Sequence, residues 1–196
     1  MSEPTDDKVG KKRIGGPKKV TAGYLERAAL HYLGRFSTTE ENLRKVLERK
    51  VRRRNEGHMA PTTEQSGWIN DVVEKCVKYG YVDDEVYARQ RSESLLRKGK
   101  PPRQILQDLR FKGVDEDTAA AAVDNLEDDN IEADATRRAA AAYVRRRRFG
   151  PFRRPLADPT EKREKEIAAM MRVGFPYGIV VEILDGTEED LLELLP

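Results

Sequence analysis

Apolar positions along the chain recur at helical spacing, and no segment alternates apolar and polar residues for more than a few positions. Leu25, Ala28, Ala29, Tyr32 and Phe36 fall on one helix face. Ser37-Thr-Thr-Glu40 reads as a capping box, in which hydroxyl and carboxylate satisfy orphan backbone donors, and Leu43, Val46, Leu47 and Val51 continue that second helix. Residues 52–67 form a polar interruption with Asn55, Gly57 and Pro61; Thr62-x-x-Gln65 offers a new cap before the stripe Ile69, Val72, Val73, Cys76 and Val77. Gly80 ends that helix. Asp83 or Asp84 opens the next, Gly99 closes it, and Pro101-Pro102 opens another that stops at Gly113. Asp115 caps a helix carrying Ala119, Ala122, Val123 and Leu126. A long helix is predicted over 131–149, with Ala135, Ala139, Ala142 and Tyr143 on one face, early acids and late arginines. After a Pro-rich linker at 150–160 come Ile167, Met170 and Met171, then Ile179, Val180, Ile183 and Leu184, then an acidic turn or helix begun by Thr187-x-x-Asp190. The fold class is all-α.

The pattern repeats. Leu106-Gln-Asp-Leu109-Arg-Phe-Lys-Gly113-Val114 superposes on Ile167-Ala-Ala-Met170-Met-Arg-Val-Gly174-Phe175, and Leu43 to Val51 fits a third time with Lys50 at the Gly position. Each copy has a helix before it and another after it. The expectation is three tandem three-helix repeats, at 21–82, 83–128 and 130–186, in an elongated, curved array. A disordered basic tail (1–20) precedes them and the acidic 187–196 follows.

Charge adds a second layer. The 196 residues are 37% charged yet sum to only +2, because the charge lies in blocks. Lys11–Arg13, Arg52–Arg54 and Arg145–Arg148 are basic; Glu127–Asp129 and Glu188–Asp190 are acidic. Such a chain presents a cationic face without being basic overall.

Catalytic constellations are missing. His31 and His58 stand far apart without ligand spacing, and no phosphate loop, dinucleotide turn or nucleophile elbow occurs. Cys76, the single cysteine, excludes an intrachain disulfide and reads as a packed thiol. Asp83-Asp84 reads as helix capping. No apolar run reaches membrane-spanning length and no secretory signal precedes the helices, so a cytoplasmic protein without cofactors or metals is expected.

The candidates for binding are cations. Arg145, Arg146, Arg147 and Arg148 fan around a helix end at about 100° steps, so some complement the helix C-terminus or acids of this chain while others remain for phosphate or carboxylate. Arg52, Arg53 and Arg54 form a second group. Arg89, Arg91, Arg97, Lys98 and Arg103 surround a helix whose centre, Arg89 to Ser94, is polar: either half-buried or turned towards a partner. No aromatic residues interleave with these runs, which argues against sequence-specific reading of single strands.

Tyr79-Gly-Tyr-Val-Asp-Asp84, Tyr87-Ala88, Lys98-Gly99 and Ile105-Leu-x-x-Leu-Arg110-x-Lys-Gly-Val114 together resemble the bacterial RecX family of regulatory proteins. Support extends to Ala28–Glu48 and Tyr143–Phe149, so the resemblance covers residues 22–186. It implies three tandem three-helix repeats and no enzymatic activity. It also implies a protein that binds RecA filaments on DNA and inhibits their ATP hydrolysis, strand exchange and co-protease activity. The expected partner is the RecA filament, with single- or double-stranded DNA touched secondarily through phosphates, by a monomer. The competing reading is a nucleic-acid-binding helical module acting without RecA.

Overall fold

A computed structural model of the chain describes residues 19–126, 135–153 and 159–195, and every regular element among them is helical. The helices are α1 (Ala22–Leu33), α2 (Glu40–Arg52), α3 (Thr63–Lys78), α4 (Asp84–Arg97), α5 (Pro102–Phe111), α6 (Glu116–Asp124), α7 (Ala135–Arg147), α8 (Pro159–Val173), α9 (Tyr177–Asp185) and α10 (Glu188–Glu193). Residues 1–18 of the expected tail, 131–134 of the expected long helix and 154–158 of the expected linker lie outside the described residues. Pro159, counted in that linker, already belongs to α8.

Side chains set most helix starts. Thr21, Thr39, Asp83 and Asp115 accept from the backbone N–H of Tyr24, Asn42, Val86 and Thr118, and Thr62–Gln65 and Thr187–Asp190 form full capping boxes. Two expectations shift. The cap of α2 is Thr39 rather than Ser37, because the buried Thr39 hydroxyl also donates to the Lys112 carbonyl (2.5 Å) while Ser37 is exposed. And α2 runs through Lys50 to Arg52, so no left-handed residue stops it there. Val46, Leu109 and Met170 are buried, as are Val51, Val114 and Phe175, in keeping with the glycine alignment; four residues before the first set, Ile105 and Glu166 are buried while the first unit buries Leu43 next to Asn42.

The nine helices α1–α9 make three three-helix units joined in two different ways. Helices α1–α3 enclose their own core, with Leu25, Ala29, Leu43, Leu47, Ile69 and Val73 at its centre. Units α4–α6 and α7–α9 share one core. There α7 is central: Ala139 to Val144 are all buried, and the small alanines let α4 and α9 approach it from different sides. Leu191 of α10 caps this core.

The junction between units one and two is polar. Besides the Thr39–Lys112 bond, Asp84 accepts from the backbone N–H of Glu40 (2.9 Å), so a side chain at the start of α4 caps α2. Gly113, at φ +85°, lies so close to Glu41 that a Cβ there would meet the Glu41 Cβ at 2.5 Å. Beside these contacts opens a cleft of about 640 Å³ edged by Glu40, Glu41, Asp83, Asp84, Glu85 and Asp115. Burial pushes the Asp84 carboxyl above its ordinary value; Glu40, Asp115 and Asp83 add to that, against the Glu40 N–H bond, which lowers it.

A candidate anion-binding face

The junction between units two and three gathers cations. Gly99, at φ +71°, ends α4 against the backbone of Tyr143; an added Cβ would lie 2.5 Å from the Tyr143 nitrogen and 2.6 Å from its Cα. Only glycine fits both the dihedral and the approach. This seat places Lys98 and Lys100, the chain neighbours of Gly99, beside Tyr143, two residues before the run Arg145, Arg146, Arg147 and Arg148. The side chain of Gln104 reinforces it, donating to the Val173 carbonyl at the end of α8 and accepting from Lys100 Nζ (3.2 Å).

All four arginines are exposed and form no ion pair with any described residue. Tyr143 beneath them is 4% exposed, packs edge-on against Phe149 and Phe175, and carries the Arg146 and Arg147 guanidinium groups 5.9 and 5.8 Å from its ring centroid. The aromatic ring thus supports the cations from below and offers no surface for base stacking. Guanidinium and ammonium groups without acid partners among the described residues, at the exposed end of a helix, suit phosphate or carboxylate oxygens.

The other candidates scatter. Arg91 makes a bidentate pair with Asp108 of α5 (2.8 and 3.0 Å), which holds its guanidinium above the ordinary value. Arg97 stands 3.8 Å from Glu93 one turn earlier. Arg89 lines a groove between α4 and α6 with Glu85 and Asp117, and Arg103 is exposed in the first turn of α5. In unit one, Arg52 and Arg53 are exposed, while Arg54 lies 3.5 Å over the Tyr24 ring.

A pair absent from the sequence reading braces the face. Glu166, buried in α8, accepts from Arg153 Nε (3.0 Å), from Arg153 Nη2 (2.5 Å) and from the Gly150 N–H (3.1 Å). The signal was available in part: in the repeat alignment Glu166 stands opposite the core residue Ile105, although the first unit has the polar Asn42 there.

Residues of catalytic type are dispersed. His31 and His58 are exposed, Cys76 is buried with its thiol pushed up chiefly by burial, and among the described residues no group of His, Cys, Asp and Glu could hold a metal ion. No described helix is long and apolar enough to cross a membrane.

Comparison with known proteins bears on this arrangement. A family description, the second three-helix domain of RecX, matches residues 83–123, which are α4 to α6. Regulatory protein RecX of Myxococcus xanthus is 38% identical over 178 residues, spanning 89% of this chain and 93% of that protein. The chain belongs to the RecX family. Regulatory protein RecX of Agrobacterium fabrum agrees, at 32% identity over 91% of each chain. The crystal structure of RecX from Lactobacillus salivarius superposes with a TM-score of 0.56 at 19% identity, over 88% of this chain and 97% of the other, so the three-helix repeats are those of the RecX fold.

Proposed function

We propose that this RecX-family chain binds filaments of the RecA recombinase on DNA and lowers their ATPase, recombinase and co-protease activities without catalysing a reaction. It acts as a cytoplasmic monomer, divided near residues 82 and 129, and contacts DNA phosphates secondarily. Family membership supports the partner. The observation that carries the mode of binding is the α7 end, where Arg145–Arg148 lie near Lys98 and Lys100 and none of the six pairs with an acid among the described residues. Binding one filament state better than another shifts its population, which is all a non-catalytic regulator requires.

Titrating the protein into RecA on single-stranded DNA should lower ATP hydrolysis at substoichiometric ratios; an unchanged rate and filament length would sink the reading. Changing Arg145–Arg148 together to Gln should weaken association and leave helicity intact. If all six cations meet a single strand, log affinity should fall with log salt at a slope of about −4. Such a slope without any effect on RecA ATPase would mark a nucleic-acid module acting without RecA.

A further inference from the structure

Helix α7 ends differently from its counterparts. After α3, α4, α5 and α8 the left-handed turn is made by Gly80, Gly99, Gly113 and Gly174. After α7 it is made by Arg148, at φ +58°. A side chain there crowds the backbone, which is why glycine dominates this position. The hydrogen bonding of the turn does not require arginine: Phe149 N–H reaches the Val144 carbonyl (2.9 Å) and Arg148 N–H the Arg145 carbonyl (3.2 Å), both of which glycine would preserve.

The disfavoured conformation is braced from the next turn. Glu166 takes the N–H of Gly150 and two donors of Arg153, fixing both ends of the short 3₁₀ turn Gly150–Phe152 that follows Arg148. Glu166 does so from a core slot that the aliphatic Ile105 fills in unit two. Two departures from the repeat thus converge on one turn: an arginine where glycine is easiest, and a buried carboxylate where an aliphatic is easiest. Backbone strain and buried charge in a helix end that could have had neither point to a side chain that is used.

We propose that Arg148 is the aimed contact of the cationic face, and that Glu166 is a positioning residue presenting its guanidinium to a backbone phosphodiester of nucleic acid. The remaining arginines and lysines supply field; Arg148 supplies a directed, bidentate hydrogen bond. This rests on the anion-binding reading of the α7 end given above.

The test is fluorescence anisotropy of a labelled oligothymidylate at fixed salt, with thermal melts of the same proteins. R145Q, which removes one undirected charge, should weaken binding about two- to fivefold. R148G should weaken it about tenfold or more, yet raise Tm by a few degrees by relieving the left-handed side chain. E166Q keeps the shape and one acceptor but makes the protein more positive; undirected electrostatics would tighten binding, whereas loss of positioning weakens it several-fold. Equal losses in R145Q and R148G, a lowered Tm in R148G, or tighter binding by E166Q would each overturn the assignment. R148G that loses RecA filaments but binds oligothymidylate normally would make the target a protein carboxylate and overturn the phosphodiester. If even the fourfold Gln variant binds as before, the face itself, and not the aiming of Arg148, is refuted.

Discussion

The Ser92 hydroxyl lies fully buried on the face of α4 that also buries Ala88, Leu95 and Leu96, and it has no hydrogen-bond partner among the described residues. An unsatisfied buried hydroxyl is a net cost, and alanine is the better helix former. Ser92→Ala should therefore stabilise the protein by about 1 kcal/mol in urea denaturation; a loss of stability would show that the hydroxyl is bonded. Its neighbour Arg91 solves the same problem differently, carrying its charge to Asp108, where both side chains remain about one-third exposed (32% and 30%). A pair so placed contributes about 0.5–1 kcal/mol. The polar centre of α4 was visible in the sequence, and so was the choice between half-burial and a partner. Which residue went where was not, because the answer depends on α5 lying alongside, and nothing in the spacing of Arg91 and Asp108 announces that approach.

Helix starts were largely legible because a cap is local: Thr62, Asp83, Asp115 and Thr187 each act within three residues of the donor they satisfy. The exceptions are caps that serve two units. Thr39 was overlooked in favour of Ser37, and Asp84, read as a cap of its own helix, satisfies the first turn of α2 instead. The raised Asp84 carboxyl gives this cross-unit cap a pH signature. In the folded state it holds its proton at pH values where the unfolded chain has released it, so its ionisation opposes folding. The penalty is absent at or below the ordinary carboxylate value of about 4, grows as pH rises towards the raised value, and levels off above it. Asp84→Asn keeps an acceptor for the Glu40 N–H without the charge. Its Tm should exceed that of the parent at pH 7, with the advantage shrinking as the pH is lowered; a constant or reversed difference would contradict this account. The α7 end shows the opposite limit of legibility. Its arginines were obvious, but Lys98 and Lys100 join them only because Gly99 seats on Tyr143, a contact between residues 44 positions apart.

Three repeats could be read from apolar spacing and punctuating glycines, but not how they associate. The alanine-rich face of α7 fuses units two and three into one hydrophobic core, whereas unit one keeps its own. Cooperative unfolding should follow this division. Leu43→Ala, at a fully buried site of the first core, should cost about 2–5 kcal/mol, and amide hydrogen exchange should show α1–α3 losing protection while α7 retains it. Equal loss in α7 would mean that the polar junction transmits unfolding and that the chain is one cooperative unit.

That junction also settles where the molecule yields when it is bent. Among the described residues, the Thr39 and Asp84 hydrogen bonds and the Gly113–Glu41 contact lie beside an acid-edged cleft where unit one meets the larger body of α4–α9. The protein has the outline of a calliper, one jaw being α4–α9 with its shared core and the other α1–α3 with its own. A force that bends the molecule should therefore break the Thr39 and Asp84 hydrogen bonds first and leave both cores intact.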